Sequence, residues 1–209
     1  MKILFCKLSY MKYYKGVCDA DQAYNGGEYV RVNSRGHEEY NFLPLIDDSN
    51  NEICRGFVET KSGNGCDRNQ LHIERIDDCD DLTNSDYAED VLVVFCATRQ
   101  QNDTVVVGWY NHATVYRNYE DWEFDYDNGY SEYRYCNIIA KKEDCVLLPE
   151  PKRNQWKWSV PVARKRGYGF GQSLVWFATE PAAQEYVETL VKNITDYREE
   201  NWIDKYPEN

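Results

Sequence analysis

The sequence predicts an α+β fold built around a small, strongly curved β-sheet or barrel, with an amphipathic helix near the C-terminus. Three observations support this class. Short runs rich in Val, Ile, Tyr and Phe, bounded by Gly, Asn or Asp, recur up to about residue 148. Two of the most apolar runs have the spacing of a β-hairpin. The last third of the chain changes to the apolar spacing of a helix.

The strand signals follow one another at short intervals, as in a small barrel. The predicted strands span residues 3–8, 56–60, 71–76, 91–97, 104–110, 113–117, 136–140 and 145–148. Between the fourth and fifth of these runs lies the polar connector TRQQND, which predicts a hairpin. The sequence contains three histidines. His72 is predicted on a strand, at the surface or an edge, and His112 in the turn between two strands.

The chain becomes basic and then helical after the strand-rich part. Residues 152–166 contain six Lys or Arg residues and no acidic residue. The glycine-rich turn GYGFGQS follows, and LVWFA predicts a final strand. From Pro181 to about residue 200, apolar residues recur at helical spacing, so we expect a C-terminal helix that covers one face of the sheet.

Length and composition are typical of a folded domain. The 209 residues fit one domain, a barrel over about 1–180 with the helix over about 181–200; a position as the N-terminal domain of a longer protein is also compatible. No apolar run approaches the length of a membrane span, and the N-terminus lacks the pattern of a signal peptide, so we expect a cytoplasmic protein without a membrane partner. The eight cysteines lack CxxC spacing and are expected to be reduced.

Catalytic motifs are weak in this chain. It has no GxSxG, Walker A or HExxH motif, and we predict neither a metal site nor a cofactor. The triplet ETK places Glu59 and Lys61 two residues apart, which is half of the pattern of a metal-dependent nuclease. Asp47 or Asp48 would then supply the second carboxylate. Since such triplets are common by chance, a nuclease is only the second alternative, and no catalytic residue is assigned.

Aromatic and basic side chains suggest nucleic acid instead. The sequence contains 18 Tyr, 7 Phe and 6 Trp residues, and several of them lie among the cations of segment 152–166. Rings stack on bases, and Lys or Arg side chains hold phosphates. The net charge of −12 argues against an extended nucleic-acid surface, so we expect a localised basic strip with a narrow footprint.

Two stretches carry a resemblance to a known superfamily. The first strand, MKILFCKLSY, precedes a Gly-containing loop, and VLVVFCATRQQNDTVVVGWYNHATVYR is similar to the hairpin of PUA-like domains of the EVE and YTH type. The loop here has NGGEYV where EVE domains usually have a Trp-Gly-Val-Arg-Asn run. GHEEYNF and GFGQSLVWFA also resemble sensor domains of modification-dependent restriction systems.

This resemblance implies a pocket that accepts one flipped, modified base. The positions that match the base pocket, or would contact the edge of the base, are Tyr13, Gly26, Gly27, His37, Asn41, Trp109 and Tyr110. Those expected to hold phosphates are Arg164, Lys165, Arg166, Gly169, Gln172 and Ser173.

The leading prediction is therefore a non-catalytic reader of modified nucleic acid, with modified DNA as the first candidate. It would serve antiphage restriction together with a nuclease or NTPase partner. A first alternative comes from the acidic composition: residues 77–90 hold seven carboxylates and no Lys or Arg. An acidic protein-interaction module or DNA mimic would explain that excess.

Overall fold

One mixed β-sheet organises the fold. A computed structural model of the chain describes residues 1–25, 36–60, 70–99, 103–125 and 129–208. Eight strands of these residues form the sheet, seven of them in the order β2-β3-β6-β5-β4-β1-β8, while β7 pairs with β5 outside that order. The strands are β1 (Ile3–Leu8), β2 (Pro44–Ile46), β3 (Glu52–Gly56), β4 (Tyr87–Thr98), β5 (Thr104–Asp125), β6 (Ser131–Lys141), β7 (Cys145–Leu147) and β8 (Val175–Trp176).

Helical structure is sparse in the described residues. The two α-helices are α1 (Ala163–Arg166) and α2 (Gln184–Thr195). Short 3-10 turns occupy His37–Tyr40, Ile73–Arg75, Asp80–Asn84, Lys142–Asp144, Glu150–Asn154, Trp156–Trp158, Pro181–Ala183 and Trp202–Asp204. The mixed α+β class that the sequence predicts is therefore confirmed, with strands dominating.

The centre of the sheet is buried on both faces. β1 and β4 run parallel, with Leu4 opposite Val93 and Cys6 opposite Phe95, and these residues belong to one core cluster. Alternate residues such as Phe5 point into a second cluster on the other face. Because successive side chains of a strand alternate between faces, two buried faces require the nearly continuous apolar runs seen in the sequence.

β-Bulges interrupt the pairing of β5. β5 pairs with β4 in its first half and with β6 in its second, and the register shifts at three points along the β4 pairing and at one along the β6 pairing. Asp90 and His112 adopt positive φ angles of 59° and 49° beside these shifts. The predicted strands 104–110 and 113–117 are thus parts of one long strand, and the predicted turn at His112 is wrong. A bulge, which inserts an unpaired residue and bends the strand, takes its place.

Two predicted strands are absent. Residues 57–60 follow β3 outside the ladder, because side-chain amides take the backbone groups that a strand would pair. Asn41 bonds both the N–H and the C=O of Phe57, at 2.9 and 3.0 Å, and Asn137 bonds those of Val58. In place of the predicted strand 71–76, the chain forms the 3-10 turn Ile73–Arg75. The Ile73 side chain is buried there, and local backbone hydrogen bonds replace those of a strand. The final strand is shorter than predicted, limited to β8.

The predicted hairpin and the C-terminal helix are present in the structure. β4 and β5 form the predicted hairpin. The C-terminal helix, α2, begins after a turn containing Pro181, and its buried Val187, Leu190 and Ile194 pack on the second core cluster. It ends at Thr195, earlier than the expected 200. All seven cysteines among the described residues are free thiols. Of the helices in that part of the chain, none has the length and apolar character needed to cross a membrane.

Candidate functional site

Of the predicted base-pocket residues Gly26, Gly27 and His37, the structure describes His37. Gly26 and Gly27 lie outside the described residues. His37 is half-buried between the rings of Phe57 and Tyr135, with centroid distances of 5.0 and 5.1 Å. Burial, together with the nearby Arg134 guanidinium, lowers the pKa of His37 from its usual value. Its Nδ1 accepts a 3.4 Å hydrogen bond from the backbone N–H of Tyr135, so the imidazole mainly joins the 3-10 turn to β6.

Asn41 is a structural residue, which corrects its assignment to the edge of a base. Its side chain is fully buried, and both amide atoms bond the backbone of Phe57. Tyr13 is also mostly covered. It is 8% exposed and stacks on Trp202, with 5.4 Å between the ring centroids. Neither side chain presents a free surface to a base.

Trp109 and Tyr110 belong to the core, and this finding removes them from the candidate site. Trp109 is 2% exposed and stacks on Trp158, with 5.5 Å between the ring centroids. Tyr110 is fully buried on the opposite face of the sheet, edge-on to Phe95. A base could stack on either ring only if one of these core contacts were broken. The physical reason is that both faces of β5 are covered at these positions.

The basic segment divides into buried and exposed side chains. Arg153 is fully buried, and its guanidinium donates to three backbone carbonyls at 2.7–2.9 Å. Trp158 is buried as well, whereas Trp156 in the same 3-10 turn is 83% exposed. A three-residue turn puts Trp156 and Trp158 on different sides, one towards solvent and one towards the core. Trp156 is therefore the ring in this segment that a ligand can reach.

A pocket of about 200 Å³ lies beside Trp156. The 3-10 turn and the following residues form one wall, and α2 forms the other. Side chains that line it include Trp156, Ser159, Arg166, Tyr186, Leu190 and Asn193. The pocket thus combines an exposed ring with a cation, a hydroxyl and an amide.

Tyr186, one of the residues that line this pocket, carries a buried hydroxyl. Among the described residues this hydroxyl has no hydrogen-bond partner. Burial raises the pKa of the Tyr186 phenol well above its usual value, so it stays protonated. A buried hydroxyl without a partner costs about 1–3 kcal/mol.

The cations of segment 152–166 that are not fully buried are in two different states. Lys152 and Lys157 both pair with Glu199, the latter at 3.5 Å. Arg164, Lys165 and Arg166 of α1 are all exposed, and no ion pair to them occurs in the described ranges. α1 therefore carries three positive charges that are free to contact an anion.

The glycine-rich turn after α1 differs from a phosphate loop. Gly167 ends α1 with a φ of 79°. At Gly169, with a φ of 106°, a Cβ atom would lie 2.2 Å from the carbonyl oxygen of Pro161, so this glycine permits close backbone packing. Gln172 and Ser173 are exposed, but the Ser173 hydroxyl accepts a bond from the backbone N–H of Val175. Packing explains Gly169, and the contribution of Gln172 and Ser173 stays a prediction.

The nuclease pattern is not assembled in the part of the chain that the structure describes. Glu59 is exposed, and Lys61 lies outside the described residues. Asp47 uses its carboxylate within its own turn, on the backbone N–H groups of Ser49 and Asn51. Nowhere in the described ranges do three His, Cys, Asp or Glu side chains gather as metal ligands.

Sequence reasoning missed the second wall of the pocket. Tyr186 and Asn193 flank the apolar stripe of α2, and nothing in their spacing shows that they face Trp156. Their placement depends on how α2 packs against the sheet.

Comparison of the chain with protein-family models, with curated proteins and with solved structures finds no match.

Proposed function

We propose that this chain is a non-catalytic reader of nucleic acid that holds one unstacked base in the pocket beside Trp156. A modified DNA base is the first candidate ligand, and a PUA-like fold is the classification that accompanies it. The observation that carries the proposal is the exposed indole of Trp156, next to a pocket with an unpartnered Tyr186 hydroxyl. The β4–β5 hairpin and the bulges in its pairing, which are compatible with a curved sheet, support the PUA-like classification.

The pocket chemistry suits a flat polar ring. Taking a base out of a duplex costs a few kcal/mol, which contacts in the protein must offset. Stacking of one base on an aromatic side chain contributes about 1–3 kcal/mol. Tyr186 and Asn193 would supply hydrogen bonds to the polar edge of the base, where a modification changes the pattern of donors and acceptors. In this proposal Tyr186 and Asn193 take the role at the edge of the base that the sequence analysis assigned to His37 and Asn41.

The exposed cations of α1 would hold the backbone. Arg164, Lys165 and Arg166 are adjacent to the pocket, since Arg166 also lines it. Each phosphate contact by Lys or Arg releases counterions and makes binding depend on salt. On a chain with a net charge of −12, a strip of three cations gives a short footprint around one flipped nucleotide. A nuclease or NTPase partner would then supply any cutting in a restriction system.

Binding to matched short duplexes tests the proposal directly. Fluorescence polarisation would compare an unmodified duplex with duplexes carrying methyl-, hydroxymethyl- or glucosyl-cytosine or N6-methyladenine, with single-stranded and RNA versions alongside. We expect selective binding to one modified duplex. In Trp156→Ala, loss of stacking should weaken binding by about 1–3 kcal/mol. Its stability should stay within about 0.5 kcal/mol of the unmutated protein, because the ring is exposed.

A matched control uses another exposed ring. Tyr206, which is 52% exposed and lies outside the pocket, should tolerate replacement by Ala without loss of nucleic-acid binding. Equal losses in Trp156→Ala and Tyr206→Ala would refute the site. Silence of all nucleic acids would refute the function and favour the acidic interaction module. Magnesium-dependent cutting that Glu59→Ala abolishes would instead establish the nuclease.

A further inference from the structure

The distal part of the β5–β6 hairpin presents an exposed face of tyrosines and carboxylates. Asp121 is directly opposite Tyr135, and Glu123 is directly opposite Tyr133. All four side chains are exposed, with Tyr133 at 68% and Tyr135 at 44%. Opposed residues of an antiparallel pair share one face of the sheet, so each carboxylate lies beside a ring. We call these four residues the acidic-tyrosine face.

Two arginines of this part of the sheet do not pair with the carboxylates of this face. The cation of this part of β6, Arg134, alternates to the other side, where it is buried over the ring of Tyr40 at 4.3 Å and pairs with Glu39. Within the described ranges no ion pair to Asp121 or Glu123 occurs. Asp121 and Glu123 therefore have no ion pair in these ranges, and each lies opposite a phenol ring. Arg55, which lines a cleft with both carboxylates, packs on the ring of Trp122 at 5.3 Å.

We infer that the acidic-tyrosine face docks an extended, arginine-rich protein segment. A guanidinium can bond a carboxylate through two N–H groups and also pack on an aromatic ring, which an ammonium does less well. Each Asp–Tyr or Glu–Tyr pair on this face offers both contacts at once. Charge complementarity thus selects a basic partner, and the rings select arginine over lysine.

The spacing of the two pairs defines the pattern of the partner. Positions two residues apart on a strand are separated by about 7 Å, and so are alternate side chains of an extended peptide. A segment with arginine at every second position can therefore place one guanidinium on each pair without bending.

Fluorescence anisotropy with a labelled Arg-Ser repeat octapeptide tests this inference. We expect binding that weakens with salt, and weaker binding when every Arg is replaced by Lys. The double variant Asp121→Asn/Glu123→Gln should lose affinity by about tenfold, because two ion pairs disappear. Tyr133→Ala should also weaken binding, and Tyr133→Phe should restore it because the ring is retained.

The control removes the same charge elsewhere. Asp80 and Asp81 are exposed in a 3-10 turn of another part of the chain, and Asp80→Asn/Asp81→Asn changes the net charge equally. An affinity change below about twofold is expected for this variant. Equal weakening in the two double variants would show that net charge alone attracts the peptide, and it would overturn the inference. The absence of peptide binding would overturn it too, without bearing on the pocket beside Trp156.

Discussion

Replacement of Arg153 by Met should destabilise the protein strongly, although Arg153 lies in the segment where the sequence suggests a nucleic-acid contact. Its Nε donates to the Leu148 carbonyl at 2.9 Å, and its terminal nitrogens donate to those of Met11 and Lys12 at 2.7 Å. The guanidinium thus ties the turn Glu150–Asn154 to the loop after β1. This turn ends two residues before Trp156.

The magnitude follows from the groups that the substitution leaves unpaired. Each buried carbonyl that loses its donor costs about 1–3 kcal/mol. Removal of the buried charge returns part of this, because the desolvation cost of the guanidinium disappears. We therefore expect Arg153→Met to lower the free energy of unfolding by about 3–5 kcal/mol.

Urea denaturation followed by circular dichroism measures this loss, and Arg164→Met is the matched control. Arg164 is exposed on α1, so the same chemical change should alter stability by less than about 0.5 kcal/mol. A loss below about 1 kcal/mol in Arg153→Met would refute the reasoning, since the three carbonyls would then find other partners at little cost.

Two further predictions concern the core and one titrating pair. Trp109→Ala should lower the free energy of unfolding by about 3–5 kcal/mol in urea denaturation, because it removes a buried ring; a small change in stability, with loss of base discrimination alone, would contradict the core assignment. The His112 imidazole bonds the Asp90 carboxylate at 2.6 Å, which raises the pKa of His112 above its ordinary value. Its contribution to stability is therefore complete below about pH 6.5 and is lost as pH rises through the raised pKa. NMR titration should show the pKa of His112 falling in Asp90→Asn, and an unchanged pKa would refute the link.

Local patterns were sufficient for the elements that carry strong periodicity. β1 has the bounds that its apolar run predicts, and the stripe of α2 identifies the face that packs on the sheet. Local patterns failed where side chains, and not a neighbouring strand, bond the backbone N–H and C=O groups. Residues 57–60 have strand-like composition, yet Asn41 and Asn137 bond their backbone from sites 16 and 79 positions away. No local window contains that information.

The candidate site shows the same division. Segment 152–166 is visibly basic and aromatic, and the sequence correctly marks it as unusual. It does not show that Arg153 and Trp158 are buried while Trp156 and Arg164 face solvent. The sequence also indicates Trp109 as a site residue, because an indole ring can stack on a base or pack in a core. Burial decides between these roles, and burial depends on the other strands.

The sequence by itself determined the α+β class, the hairpin of β4 and β5, the C-terminal amphipathic helix and the localisation of positive charge in a net acidic chain. Only the tertiary structure decided which rings are reachable, which cations are free, and that Tyr186 of α2 faces the same pocket as Trp156. The physical reason is one of range. Periodicity and charge are properties of neighbouring residues, whereas exposure and unpartnered polar atoms arise from contacts between elements distant in the chain.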